Sequence, residues 1–326
     1  MVEQPLLDVR DLTVRFIRRG TDVAAVNGAS FALHRGETLT ILGESGSGKS
    51  VSLKAMMGLL PTYAQVSGKI WLNGQEILGL PAAALAKLRG GAVAMIFQEP
   101  MAALDPVYTI GEQIAETIIQ HESVDHRTAM KRALELLEMV KIPSAERRLK
   151  NFPHEMSGGM RQRAMIALAL ACKPSVLLAD EPTTALDVTV QIQILLLLRQ
   201  LQEELGMAIV FVTHDVGAAA EISDRIAVMY AGRFVESGTA REIIRTPRHP
   251  YTEGLLSSTV HGGMRGTRLE TIPGTPPNLA SLPPGCAFAP RCRYVVDACR
   301  SGEIPVSITD TGAMARCVRA VETELA

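Results

Sequence analysis

Long apolar runs are missing from this chain. No stretch reaches the roughly 18 uncharged apolar residues that a membrane span needs, and the best candidate, residues 164–179, is broken by Lys173-Pro174. A secretory leader is not evident either, because Glu3, Asp8, Arg10 and Asp11 stand where its apolar core would be. The expectation is a cytoplasmic protein. Charge of one sign is not in excess: the net charge is −1, which gives no basic footprint for nucleic acid. Cysteine is scarce, with five in 326 residues. That is too few for a disulfide scaffold, and a cytoplasmic chain would keep them reduced. No internal repeat is present. What remains is an ordinary globular chain, 47% hydrophobic, with material for a sizeable core and about two domains.

One stretch organises the rest. Thr38-Leu39-Thr40-Ile41-Leu42 is short, apolar and β-branched, as a buried strand is. Gly43-Glu44-Ser45-Gly46-Ser47-Gly48-Lys49-Ser50 follows, then a helical pattern from Val51 to Leu60 that Pro61 stops. Strand, glycine-rich loop and helix form the context of a phosphate-binding P-loop. The glycines let backbone N–H groups curl around an anion, and the helix N-terminus adds partial positive charge. Lys49 can reach β- and γ-phosphates, and the Ser50 hydroxyl can ligate Mg²⁺.

Leu12, Val14 and Phe16 alternate with polar residues as in a half-buried strand, and residues 24–33 read as a second. Phe16 can stack on an adenine or simply serve the core. Asn73-Gly74 predicts a hairpin within residues 69–77. A short helix is expected over 81–89, and a buried strand over 92–97 ends at Gln98, a candidate Mg²⁺ or water ligand. Residues 109–150 carry helical periodicity (Ile110, Ile114, Ile118, then Leu134, Leu137, Val140) and read as a helical insertion. Ser157-Gly158-Gly159 opens another helix, a second potential anion site. The strand over 175–179 ends in Asp180-Glu181. Beside a P-loop that is a Walker B arrangement, with Asp180 on Mg²⁺ and Glu181 placed to deprotonate water. Thr184-Ala185-Leu186-Asp187 leads into a helix over 188–205, and a strand over 208–212 ends at Thr213-His214. Gln98, Asp180 and His214 all close strands and are expected at one crevice. Strands over 225–230 and 234–236 and a short helix over 239–245 follow. Residues 246–285 are proline-rich, an extended arm, and four of the five cysteines fall in the last 41 residues.

This set resembles the ATP-binding subunits of ABC transporters: the P-loop at 43–50, Gln98, the signature Met156-Ser157-Gly158-Gly159-Met160, Walker B at 176–181, the D-loop at 184–187, and His214. The signature departs from the usual Leu-Ser-Gly-Gly-Gln at both ends. Three stretches resemble one branch, the ATPases of dipeptide and oligopeptide importers, which nickel and some sugar-derivative importers share. They are residues 98–106, Gly159-Met160-Arg161-Gln162-Arg163, and an arm with His249-Pro250-Tyr251-Thr252, residues 273–277 and Cys286-Ala287-Phe288-Ala289-Pro290-Arg291-Cys292.

The resemblance implies an α/β fold: a RecA-like P-loop NTPase core with an antiparallel β subdomain and a helical subdomain near 99–160. Residues 1–245 would form the ATP-binding domain and 246–326 a small cysteine-containing extension. It implies ATP and Mg²⁺, with Phe16, Gly43, Glu44, Ser45, Gly46, Ser47, Gly48, Lys49, Ser50 and Val51 on the nucleotide. Mg²⁺ would be held by Ser50, Gln98 and Asp180, and catalysis carried by Glu181, His214 and Gln98. Ser157, Gly158 and Gly159 would act on a partner's nucleotide, with Asp187 in the D-loop. The implied partners are a second ABC ATPase, identical or a paralogue, two integral-membrane permeases and a periplasmic or extracellular solute-binding protein. The place would be the cytoplasmic face of the inner membrane, with ATP hydrolysis driving import. The rivals are a non-transport ABC ATPase, which usually carries a coiled-coil insertion, zinc module or second cassette not found here, and a regulatory nucleotide sensor, expected to lack Glu181 or His214.

Cys286, Cys292, Cys299 and Cys317 are separated by five, six and seventeen residues, without the close pairs that structural zinc favours. Four thiolates suit an iron–sulfur cluster, and the peptide-importer branch is associated with [4Fe–4S]. The expectation is a [4Fe–4S] cluster, or zinc, on these four, with Cys172 an ordinary core residue.

Overall fold

A computed structural model describes residues 4–18, 20–184, 186–258 and 271–320. Glu3, Ala185 of the D-loop and residues 259–270 of the proline-rich arm lie outside the described residues. In chain order the elements are β1 (Leu7–Arg18), β2 (Thr21–Leu33), β3 (Thr38–Leu42), α1 (Lys49–Met56), β4 (Ala64–Leu72), β5 (Gln75–Glu76), α2 (Ala82–Leu88) and β6 (Val93–Ile96). Next come α3 (Pro100–Ala103), α4 (Ile110–His121), α5 (His126–Met139), α6 (Ala145–Arg148), α7 (Gly158–Ala169), β7 (Val176–Asp180), α8 (Val188–Leu205) and β8 (Ala208–Thr213). The chain continues through α9 (Val216–Ile222), β9 (Arg225–Tyr230), β10 (Arg233–Thr239), α10 (Ala240–Arg245), α11 (Pro250–Ser257), β11 (Val306–Ile308) and β12 (Met314–Arg316). Among the described residues no helix is long and apolar enough to cross a membrane. The chain divides into two compact units.

The first unit comprises Met1–Leu7, Leu33–Glu37 and Trp71–Val212. Its sheet pairs β6, β7 and β8 in parallel, with Val93 opposite Val176 and Val176 opposite Ala208. These strands are buried residue after residue, as in a parallel sheet covered on both faces. The helical block is present as anticipated: α4 packs on α5, and α7 on both. Ile110, Ile114 and Ile118 form the buried stripe of α4. The Thr109 and Asp125 side chains cap α4 and α5 by accepting from the N–H groups of Glu112 and Thr128. The Asn73-Gly74 turn takes positive φ at both residues, 51° and 76°, the geometry of the predicted hairpin.

The second unit comprises Asp8–Ala32, Thr38–Ile70 and Thr213–Ala326. One sheet runs β2-β1-β4. The alternation along β1 slips at Asp11, whose φ is 50°: Arg10 and Asp11 are both exposed between buried Val9 and buried Leu12. That slip re-phases the strand and leaves Phe16 half-buried. In the other sheet β3 lies parallel to β9, β9 pairs with β10, and β10 pairs with β12. Strands β11 and β12 come from the cysteine-bearing tail, which sequence reasoning left without strands. Residues of the arm also enter the core of this unit: Tyr251, Leu255, Leu256 and Phe288 cluster with Leu42, Val228, Tyr230 and Ile243. Each such side chain contributes roughly 1.5–3 kcal/mol when fully buried.

Candidate functional site

In the second unit β3 delivers the chain into Gly43 with five successive buried residues. A Cβ at Gly43 would lie 2.3 Å from the Met229 carbonyl oxygen. Gly48 has φ +108°, and a Cβ there would lie 2.4 Å from the Ala25 carbonyl oxygen. Both contacts are with backbone, which cannot step aside, so these positions need glycine. The Gly232 N–H donates to the Ser47 carbonyl at 2.9 Å and ties the loop to the β9–β10 turn.

Lys49 is 3% exposed, and its Nζ donates to the carbonyl oxygens of Gly43 at 2.7 Å and Glu44 at 2.9 Å. The Ser47 hydroxyl is buried without a hydrogen-bond partner. A buried donor left over in a ring of backbone amides is what a phosphate oxygen would satisfy, so the cradle fits the triphosphate expected from the sequence. Ser45 and Gly46 are exposed; Ser50 and Val51 are half-buried at the start of α1. The Phe16 ring packs on Tyr63, with centroids 5.9 Å apart. His214 is exposed beyond the end of β8, and Asp215 caps α9.

In the first unit Asp180 is the last residue of β7, 3% exposed, and Glu181 follows with φ 45°. A left-handed glutamate is costly and persists where its surroundings fix it. Here its N–H donates to the Val212 carbonyl at 2.9 Å. Its carboxylate accepts from the Thr184 hydroxyl at 2.9 Å and, at a long 3.5 Å, from Gln98 Nε2. The structure thus brings Gln98 and Glu181 together. Ser50, Gln98 and Asp180 are hard oxygen donors, the kind Mg²⁺ selects. Ser157 caps α7, accepting from the Met160 N–H at 3.4 Å. Ser157 and Gly158 are exposed while Met156 is buried, so the signature's first departure from the family pattern is a core residue. The signature thereby presents an open helix N-terminus to solution, suited to an anion. Asp187 caps α8 through the Val190 N–H at 3.0 Å.

Cys286, Cys292, Cys299 and Cys317 line one cavity, together with His249, Phe288 and Ile304. That cavity measures about 10 Å³, the least that holds a single water. Among the described residues no group of three or more His, Cys, Asp or Glu is placed to hold a metal ion. With no metal present, burial pushes the thiols of Cys286 and Cys317 up and that of Cys292 up to about 11. Among the described residues nothing supports the [4Fe–4S] or zinc expectation beyond the convergence of the four cysteines on one cavity. About four irons per chain in anaerobically purified protein would establish a cluster on these four. Cys172 is half-buried, its thiol directed to the Thr117 carbonyl at 3.7 Å.

Sequence reasoning also missed a set of polar residues buried behind the P-loop. Arg291 makes a two-pronged ion pair with Glu44. The Tyr251 hydroxyl accepts from the Glu44 N–H at 2.8 Å. The Glu236 carboxylate, 2% exposed, accepts from the N–H groups of Arg248 at 2.6 Å and His249 at 3.0 Å. Burial raises Glu236 to about 7 and lowers His249 to about 3. Tyr251 and Arg291 lie inside two of the stretches that carried the family resemblance, but no local spacing connects either to the P-loop.

Comparison with known proteins completes the description. Residues 26–184 match the model of the ABC transporter family, and residues 235–299 match that of the oligopeptide/dipeptide transporter C-terminal region. A putative peptide import ATP-binding protein of Brucella melitensis is 48% identical over 98% of both chains. The oligopeptide transport ATP-binding protein OppD of Salmonella typhimurium is 48% identical over 97% of this chain and 94% of its own. Among solved structures, a dimeric ATP-binding cassette in a post-hydrolysis state with ADP and phosphate superposes with a TM-score of 0.65 at 30% identity. It covers 72% of this chain and 99% of its own.

Proposed function

The chain belongs to the ABC transporter family of ATP-binding subunits, in the group with the oligopeptide/dipeptide transporter C-terminal region, and from that membership we propose that it hydrolyses ATP to drive peptide import. The observation that carries this reading is the union on one chain of a phosphate loop and that C-terminal region, in relatives of matching length named for peptide import.

In this reading the loop from Gly43 to Ser50 holds the phosphates. Its amides and the Ser47 hydroxyl donate to phosphate oxygens, and Lys49 exchanges its loop carbonyls for the β- and γ-phosphates. Phe16 lies against the base, and Val51 continues the cradle into α1. Ser50, Gln98 and Asp180 are the residues that would hold Mg²⁺, which would supply neutralisation of phosphate charge. Glu181, oriented by Thr184, takes a proton from the attacking water, and His214 contacts the γ-phosphate end. Ser157, Gly158 and Gly159 reach the nucleotide of a second ATPase subunit, with Asp187 at the same face. The dimeric state of the solved cassette supports that pairing.

Two integral-membrane permeases would couple the closing and opening of the pair to transport, receiving peptide from a solute-binding protein. The chain would sit as a peripheral subunit on the cytoplasmic face of the membrane. Capture of the tagged chain from native membranes tests this. Two permeases and a second ATPase should come with it, and a chain recovered without permeases overturns the reading.

A further inference from the structure

We propose that Arg291 and Tyr251, far along the chain in the C-terminal arm, are positioning residues for the P-loop, holding the one acidic residue of that loop in place and its charge compensated. The inference rests on the ATP-binding reading above and adds to it a reason for the arm to be part of the ATPase.

Glu44 is the second residue of the P-loop, and both of its polar ends are taken by the arm. Arg291 Nη1 donates to Glu44 Oε2 at 2.7 Å and Nη2 to Oε1 at 3.0 Å, across 247 residues of sequence. This is the fork-to-fork geometry in which guanidinium and carboxylate bind most specifically. The Arg291 side chain is 5% exposed. It is held from behind by the Pro273 carbonyl, which accepts from Nε at 2.9 Å, and by the Tyr230 hydroxyl at 3.3 Å from Nη1. The Glu44 N–H donates to the Tyr251 hydroxyl at 2.8 Å, so this amide points into the arm. Tyr251 is fully buried against Tyr230, with ring centroids 4.5 Å apart. On the loop side, the Glu44 carbonyl accepts from Lys49 Nζ. A fixed chain of contacts thus runs from the arm through one peptide of the loop to the phosphate-binding lysine.

Two consequences follow. The orientation of the Glu44 peptide is set before nucleotide arrives, which spares ordering on binding. The carboxylate, which would otherwise stand as a bare negative charge in a loop built for a polyanion, is paired.

The second consequence gives a test that mere support of the fold would not pass. Affinity for a fluorescent ATP analogue is measured on the full chain for the wild type, R291A, E44Q, E44Q/R291A and Y251F, with thermal melting as the check of folding. R291A should weaken binding about tenfold, within the range of coupling seen between contacting residues. E44Q alone serves as the reference for the double variant, because the amide keeps an acceptor and carries no charge. E44Q/R291A should bind several-fold tighter than R291A, since it removes the orphaned charge. Y251F should weaken binding several-fold by leaving the Glu44 N–H unpaired. If R291A does not fold, R291M takes its place; it fills the space without a charge, and its loss should again be relieved by E44Q. Equal affinity of R291A and wild type, or no relief of R291A by E44Q, overturns the proposal. A wild type that binds no ATP, or binds it as well as K49A does, fails the functional reading itself and is told apart from both.

Discussion

Glutamine at position 236 should change how the protein's stability depends on pH. Glu236 lies buried on β10, and burial raises its carboxyl from 4.5 to about 7 against the opposing pull of the Arg248 and His249 N–H groups. A gap of that size is worth about 3 kcal/mol between the two protonation states. Below pH 4.5 the acid is neutral in the folded and unfolded chains alike, and its contribution is fully present. As pH rises the unfolded chain ionises first, so stability falls until the folded acid ionises near 7, and beyond that it is level. Between pH 5 and 8 the wild type should lose about 2–3 kcal/mol from this group, or about 5 °C in Tm at roughly 2 °C per kcal/mol. The neighbouring His249, held at about 3 by burial, gives the opposite slope below its ordinary value. It does so in both proteins and cancels in their difference. Glutamine mimics the neutral acid without titrating. In differential scanning fluorimetry, the wild-type Tm minus the E236Q Tm should therefore fall by about 5 °C from pH 5 to 8. Parallel curves would refute the reasoning and place Glu236 in a wetter or better-paired site than its burial implies.

The two anion sites should separate by mutation. K49A should weaken ATP binding by the primary loop, whereas S157R, at the exposed N-terminus of α7, should leave binding intact and block hydrolysis; equal losses of affinity in an equilibrium titration would argue against action on a partner's nucleotide. G48A forces a Cβ to 2.4 Å from the Ala25 carbonyl oxygen at φ +108°. It should lower stability by about 1–3 kcal/mol and ATP affinity with it, and a variant that melts and binds as wild type does would contradict the close approach.

The parts of the site that lie at strand ends and helix starts were legible because each is local. The P-loop announces itself by glycines between a buried strand and a helix, Asp180-Glu181 and His214 by their place after apolar runs, and Ser157 and Asp187 by their place before helices. The helical block was legible from the spacing of Ile110, Ile114 and Ile118. The arm was not. Tyr251 and Arg291 matter through contacts with Glu44, 207 and 247 residues away in sequence, and β11 and β12 are strands of three residues, too short to show a period. The crowding of the cysteines in sequence was visible, but the size of the space between them depends on how Phe288, His249 and Ile304 pack there.

Peptide uptake into proteoliposomes carrying this chain, its partner ATPase and the permeases tests the central claim most directly, with E181Q in parallel. Uptake should require ATP on the side that bears this chain. E181Q should bind ATP yet lower both ATP turnover and uptake by about 10²-fold or more, the usual cost of losing a general base. ATP turnover that leaves peptide outside, or uptake by E181Q above about a tenth of the wild-type rate, would contradict the account.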